Sequence, residues 1–481
     1  MRREGKTALV TGSIGELPEA PLAPEALARL WSLLDLPEPA LEFVELKGAD
    51  QVLPSSFHTD AAAQITMGAA ALAACELGHL RGQERQPVLV ERTHAALECL
   101  SWFKLNGQVP DIWEKFSGLY PTADGWVRVH ANFAHHRDRA LKLLGLDAAK
   151  AEKVDVERAL ARWRATDFED AAADAGAVVA ALRSFDVWDE LPQARAVAVL
   201  PLVRLTRIGD GDPLPMPALA ADALPLAGVN VLDFTRILAG PVGTRALAGY
   251  GAQVLLLNAP YLPNIPAIAE TSRGKLSAHL DLRAQDARQQ LRELVSRTHV
   301  VVQGYRPGAL AALGLDVGEL ARARPGIVCV SLSAYGAHGP WAGRRGFDSL
   351  VQTATGFNQA EGEAAGGPAP RALPMQILDH ASGLLMAFAA AAALHRQQRA
   401  GGSWHAEVSL AQTGQWLRGL GRVTRGFDLV RPDLTPYLQT EATGFGELVS
   451  VRHAARLART PVRFARVAQP PGTDAAKWLV A

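Results

Sequence analysis

Asp60 and Asp379 each open a long alanine-rich run, DAAAQITMGAAALAACELGHLR and DHASGLLMAFAAAAALHRQQR. Their surroundings echo each other: Arg81 stands 21 positions after Asp60 and Arg399 stands 20 after Asp379, and the strand-forming Val90 and Val408 follow at 30 and 29. Self-similarity across roughly 300 residues predicts a duplicated half-domain. A carboxylate at the head of a helix lies in the positive end of the helix field and is expected to stay ionised. That is the state a nucleophile needs. The same position is also that of an N-cap, worth ~1 kcal/mol, and on spacing alone the cap is the favoured reading.

The elements that must position these residues fall into two halves. Residues 1–50 are irregular, with a helical pattern at Pro24–Leu34 and a weak strand-and-turn, KTALVTGSIG, that lacks a full Gly-x-Gly-x-x-Gly. The Asp60 helix and a strand at Pro87–Glu91 follow. LYPTADGWVRVHA (119–131) reads as a hairpin turning at Asp124-Gly125. Helical patterns then run from 133 to 184, where the pair His135-His136 reads as a solvated face. A Pro/Ala stretch at 213–228 marks the main boundary, which divides the chain into 1–218 and 219–481. Beyond it, apolar runs at 229–234, 252–258, 299–305 and 327–336 alternate with Ala/Leu helices. That rhythm predicts an α/β fold: a Rossmann-like parallel sheet flanked by helices, with a smaller α+β domain. Ligands on such sheets bind beyond the carboxyl ends of the strands. The tail from about 425 is expected to wrap the surface.

Composition narrows the function. With 49 basic and 49 acidic residues the formal charge is zero, so nothing favours nucleic acid or a membrane surface as partner. Three cysteines without paired spacing predict neither a disulfide framework nor a metal site. His58 and His94 have no companions at metal-ligand spacing. The longest apolar stretch, Leu384 to Leu394, is too short to span a bilayer. The polar start MRREGK makes the cytoplasm the expected location.

Five segments, in order, are similar to the family III CoA-transferases, the carnitine/bile-acid (CaiB/BaiF) group. They are PLAGVNVLDFTRILAGPVGTRALAGYGAQVLLL, GKLSAHLDLR, GYRPGALAALGL, SLSAYGAHGPWAGRRGFDSLVQTATGF and ILDHASGLLMAFAAAAALHRQQRAGG. The resemblance implies CoA transfer between an acyl-CoA and a free carboxylic acid, with CoA as substrate and product and no other cofactor. It makes Asp379 the acyl-accepting nucleophile and so reverses the preference for a cap. It places Ile237, Leu238 and Ala239 on the CoA-packing loop, and Leu280 and Arg283 on a phosphate-side motif. Gly304, Tyr305 and Arg306 fall on a further CoA loop, and Arg345 and Asp348 on the loop before the catalytic segment. Family members are interlocked homodimers; a fused pseudo-duplicate would satisfy that interface within one chain.

Departures leave other readings open. Leu257-Asn258-Ala259-Pro260 and Ala312 stand where the family often has charged residues. Residues 118–194 resemble the family's small domain, yet they precede the nucleotide-binding half, so the chain reads as two partial repeats. Asp60, with no preceding βαβ run, reads as a relic cap. A racemase or isomerase on the same fold is opposed by Phe347, which stands where racemases carry histidine. A non-catalytic acyl-CoA-binding relic is the third reading, favoured by the rearranged modules.

Overall fold

The computed structural model describes residues 23–48 and 50–479. KTALVTGSIG lies outside the described residues. A seven-stranded sheet organises the second half. Its strands are β1 (Arg204–Gly209), β2 (Asn230–Asp233), β3 (Gln253–Asn258), β4 (Lys275–His279), β5 (Val300–Gln303), β6 (Val328–Ser333) and β7 (Ser403–Ser409), in spatial order β4-β3-β2-β5-β6-β7-β1. All neighbours pair in parallel except β1, which runs antiparallel to β7 at the edge. The apolar runs form strands because helices cover both faces of the sheet; Val254, Leu255, Val300 and Val330 are fully or almost fully buried. The chain leaves β2 towards β3 and β4, then returns to β5 on the other flank of β2. This makes β2/β5 the switch point.

Two helices form the centre of the molecule, α1 (Thr59–Leu80) and α4 (Ile377–Ala400). They pack on each other more extensively than any other pair of elements, and α2 (Ala239–Gly249) and α3 (Asp348–Ala354) also pack on α4. Small side chains let the backbones approach. Gly383 on α4 meets Ala239 and Gly243 on α2 so closely that a Cβ on Gly383 would lie 2.2 Å from the Ala239 carbonyl oxygen. Because the obstacle is backbone, Gly383→Ala is expected to lower unfolding stability by ~2 kcal/mol. An unchanged urea midpoint would contradict this packing. By length and composition alone α1 and α4 would each span a bilayer, which corrects the estimate made from Leu384–Leu394, but their apolar windows lie wholly inside the fold.

The echo between the Asp60 and Asp379 runs is also topological. β6 and β7 are adjacent and parallel with α4 between them, and β7 leads directly into the helix Leu410–Gly419. Likewise Val44–Lys47 and Val88–Glu91 are adjacent and parallel with α1 between them, and the second leads into Arg92–Glu98. The hairpin at 119–131 forms as read, Gly118–Pro121 against Trp126–Val129, with Val179–Ala181 as third strand. Tyr120, Val127, Leu160 and Phe168 give this α+β unit its own core.

The tail does more than wrap the surface. Leu438–Thr443 and Gly446–Val451 form a hairpin that pairs with Phe103–Leu105, and Ala455–Leu457 pairs with Val88–Glu91. The halves expected to divide near 218 are thereby interlocked. A buried ionic cluster joins them as well: Glu98 accepts from Arg245 of α2 at 2.7 Å and from the backbone N–H of Ala454 at 2.8 Å.

Candidate active site

The carboxyl ends of β2, β5 and β6 open into a cavity of about 320 Å³, at the switch point where open α/β sheets take their ligands. Phe234, Arg236 and Ile237 line it after β2, Gly304, Tyr305 and Arg306 after β5, and Arg344, Arg345 and Phe347 from the long loop after β6. Phe133, His135 and His136 of the N-terminal half close the remaining wall. Of the residues the resemblance places at a CoA site, Ile237, Gly304, Tyr305, Arg306 and Arg345 are therefore brought together around one cavity.

Other expected contacts are not in this wall. Leu238 and Ala239 are buried at the start of α2, and Leu280 is buried in the apolar cluster beneath β3 and β4. Arg283 is exposed, chelated by Asp281 at 2.6 Å and stacked 3.7 Å over the Tyr261 ring. Asp348 is fully buried and accepts the backbone N–H of Asp379 at 2.9 Å. It holds the start of α4 and is not among the residues lining the cavity.

The loop after β2 is rigidly anchored. Asp233, wholly buried, accepts from Thr235, from Thr244 and from Lys275, whose ammonium lies 3.0 Å away and is equally buried. This anchor holds Ile237 at φ +77, a left-handed conformation that costs a β-branched residue of the order of 1–3 kcal/mol. Among the described residues Ile237 is the one β-branched side chain at positive φ, and it lines the cavity.

The cavity is strongly cationic. Among the described residues no carboxylate lines it. Arg344 is neutralised by Asp170 at 3.0 Å and Glu169 at 3.5 Å. Arg236, Arg306 and Arg345 form no ion pair among the described residues; Arg236 instead donates to the Pro263 carbonyl. His136 is buried, not solvated as its sequence context implied, and its Nδ1 lacks a partner. Burial, and after it His135 and the arginines, push the His136 pKa down to about 3. His130 stacks face to face on Phe347 at 3.9 Å.

Beside this cavity lies a pair of carboxyls. Asp379 occupies the third position of α4 and is 8% exposed. Among the described residues no donor reaches its carboxylate. The free N–H groups of the helix start are used by Asp348 instead. Burial raises Asp348 to about 7, and burial with the Asp348 charge raises Asp379 well above the usual range. This overturns the expectation that the helix field keeps Asp379 ionised: the field acts on its neighbour, and desolvation dominates. Asp60 differs, accepting from Val52 N–H at 2.7 Å and Ala61 N–H at 2.8 Å, which makes it a buried structural acceptor.

Next to Asp379, His380 accepts a 2.6 Å hydrogen bond from, or donates one to, Ser101, and burial pushes its pKa down to about 3. A histidine lowered in the folded state takes its proton mainly on unfolding, so its contribution to stability falls as pH drops from ~6.5 towards 3. In His380→Gln the stability difference between pH 6 and pH 5 is expected to shrink by ~1.4 kcal/mol. Equal slopes in urea titrations of variant and parent would refute a buried neutral His380.

Known proteins agree with the sequence motifs. Residues 226–420 match the family model of CoA-transferase family III. Within the matched segment lie β2 to β7, the cavity's arginines and Asp379. The chain is similar to a probable fatty acyl-CoA transferase of Mycobacterium tuberculosis, 36% identical over 197 residues, which cover 37% of this chain and 48% of that one. It is also similar to the acetyl-CoA:oxalate CoA-transferase of Acetobacter aceti, 31% identical over 198 residues, 39% of this chain and 51% of that one. Against a crystal structure of a CAIB/BAIF family protein from Brucella suis the identity is 26% and the TM-score 0.38, over 47% of this chain and 65% of the other. The chain thus spans about half the length of the curated relatives named here.

The site residues not found from sequence are Phe133, His135, His136, Arg236 and Arg344. The hairpin-to-helix junction at 130–136 carried a usable signal, since a small domain resembling the family's must close on something.

Proposed function

We propose that the protein transfers CoA between an acyl-CoA thioester and a free carboxylic acid, with Asp379 as the covalent acyl carrier. The observation that carries this reading is the arginine-rimmed cavity at the β2/β5 switch point, whose wall residue Phe347 is followed by Asp348, the acceptor of the Asp379 N–H at the head of α4. The Asp379 carboxylate, once its proton has passed to solvent or to Asp348, attacks the thioester carbonyl and expels CoA thiolate, leaving a mixed anhydride. The thiolate then attacks the aspartyl carbonyl, releases the first acid and forms an aspartyl-CoA thioester. The acceptor carboxylate attacks that thioester, a second mixed anhydride forms, and returning thiolate yields the new acyl-CoA and free Asp379. Each tetrahedral oxyanion needs N–H donors, which the glycine-containing turns around the cavity can supply.

The test is trapping. Acyl-CoA followed by hydroxylamine should leave a hydroxamate on the peptide carrying Asp379, read by mass spectrometry. Acyl-CoA binding without any label would favour the second reading, a binding protein that no longer turns over. That reading is supported by the Asp379 carboxyl, whose pKa burial and the Asp348 charge push upward and which no donor among the described residues reaches. α-Proton exchange without label would indicate an isomerase, which the Phe347–His130 stack disfavours.

A further inference from the structure

We propose that His136 is a ligand for the phosphoanhydride of the CoA thioester and takes up a proton as that dianion binds among Arg236, Arg306 and Arg345. The inference rests on the reading that the cavity takes CoA. Its own footing is geometric. His136 lines the cavity at 5% exposure, and its Nδ1 is buried with no hydrogen-bond partner. An unpartnered buried polar atom in a binding wall is costly unless a ligand or a proton completes it.

The groups facing His136 are all neutral or cationic. His135 stacks against it with centroids 4.1 Å apart, and Phe133 and Phe347 bound the ring. Arg139 of its own helix, Arg236 of the loop after β2 and Arg345 of the loop before Asp348 act on it electrostatically. Arg345 is in turn opposed by Arg306 and Arg139. Asp138, the nearest acid in sequence, points its carboxylate at Arg137. Within this cluster of like charges the one acid acting on His135, Asp138, is already held by Arg137, and an arriving anion relieves the remaining repulsion. Several cations converging on one wall match two phosphoryl charges better than one carboxylate. Once the dianion is seated, it offers an acceptor to the buried Nδ1 and reverses the cationic field that adds to burial in keeping the imidazole neutral, and the ring nitrogen binds a proton from solvent.

Because the proton enters with the ligand, affinity should rise as pH falls, by up to about tenfold per pH unit. Dephospho-CoA is the probe, since its pyrophosphate diester does not itself titrate near neutrality. Calorimetry near pH 6, in two buffers of different ionisation enthalpy, should show uptake approaching one proton, and uptake should vanish in His136→Gln with about tenfold weaker binding. The Cε1–H resonance of His136 in the unmodified protein should move to its protonated position on titration, a readout that needs no variant. No binding, binding without proton uptake, unchanged uptake in His136→Gln, or displacement of dephospho-CoA by succinate would each overturn the assignment. Proton uptake without a trapped acyl group on Asp379 would instead leave this inference standing and remove the transferase reading; trapping without uptake does the reverse.

Discussion

Asp379→Asn is expected to lower acyl transfer by at least about 10³-fold while leaving dephospho-CoA affinity within about threefold. The amide keeps the shape of the side chain, but it cannot form the anhydride on which every later step depends. Folding should not suffer. In the parent, two carboxyls share the start of α4, and the Asp348 charge makes Asp379 harder to ionise. A neutral amide removes that repulsion, so the urea midpoint should stay level or rise. Asp348→Asn should behave differently. It leaves one acceptor oxygen to serve both the Asp379 N–H and Gln352, which hold one carboxylate oxygen each in the parent, and it removes the charge that raises the Asp379 pKa. Transfer by this variant should fall less, and the acidic limb of its pH–rate profile should move to lower pH, because Asp379 ionises more readily without an anionic neighbour. Near-parental transfer by Asp379→Asn would end the covalent mechanism. An unshifted pH profile in Asp348→Asn would show that the two carboxyls titrate independently.

What could be read from sequence was what local pattern determines. Near-continuous apolar runs such as VLLL and VVV mark strands buried on both faces, and they formed where expected at β2, β3, β5 and β6. β4 carried no such mark, because Lys275 opens it and a buried lysine becomes tolerable only where Asp233 has been brought beside it. The tail hairpin was unreadable for a related reason: its strand partner Phe103–Leu105 lies more than 300 residues earlier, and alternation does not name a distant partner. The ionisation of Asp379 was misjudged because its position on the helix was visible whereas Asp348, 31 residues before it, was not visibly the group that takes the N–H donors. His136 was missed because a His-His pair on a polar helix resembles a solvated face until the loop after β6 covers it. The legible part of the site was therefore its loops, and the hidden part was the contacts between residues distant in sequence, within the second half as at Asp348–Asp379 and across the two halves as at His136.

The strongest structural test concerns Lys275. Its ammonium is fully buried, donates to Asp233 at 3.0 Å, to Thr244 at 2.7 Å and to the Pro241 carbonyl at 3.0 Å, and so ties β4 to β2 and to α2. Burial lowers its pKa, and the Asp233 carboxylate opposes that shift. Lys275→Met fills the same volume but leaves the Asp233 charge unpaired in the interior, and the expected loss is about 3–5 kcal/mol of unfolding free energy. Asp233→Asn added to Lys275→Met should recover much of it, because the stranded charge has gone; a double variant no more stable than the single one would mean that lost packing, not electrostatics, was responsible. The same substitution should reach function by a defined route. Asp233 also accepts from the Thr235 N–H at 2.8 Å, two residues before Ile237 at φ +77. With the anchor weakened, Ile237 is expected to relax to an ordinary backbone conformation and move the cavity wall beside Arg236. Dephospho-CoA binding should then weaken more than tenfold under conditions where the variant is still folded. Retained affinity in such a variant would show that the strained loop is not what shapes the cavity.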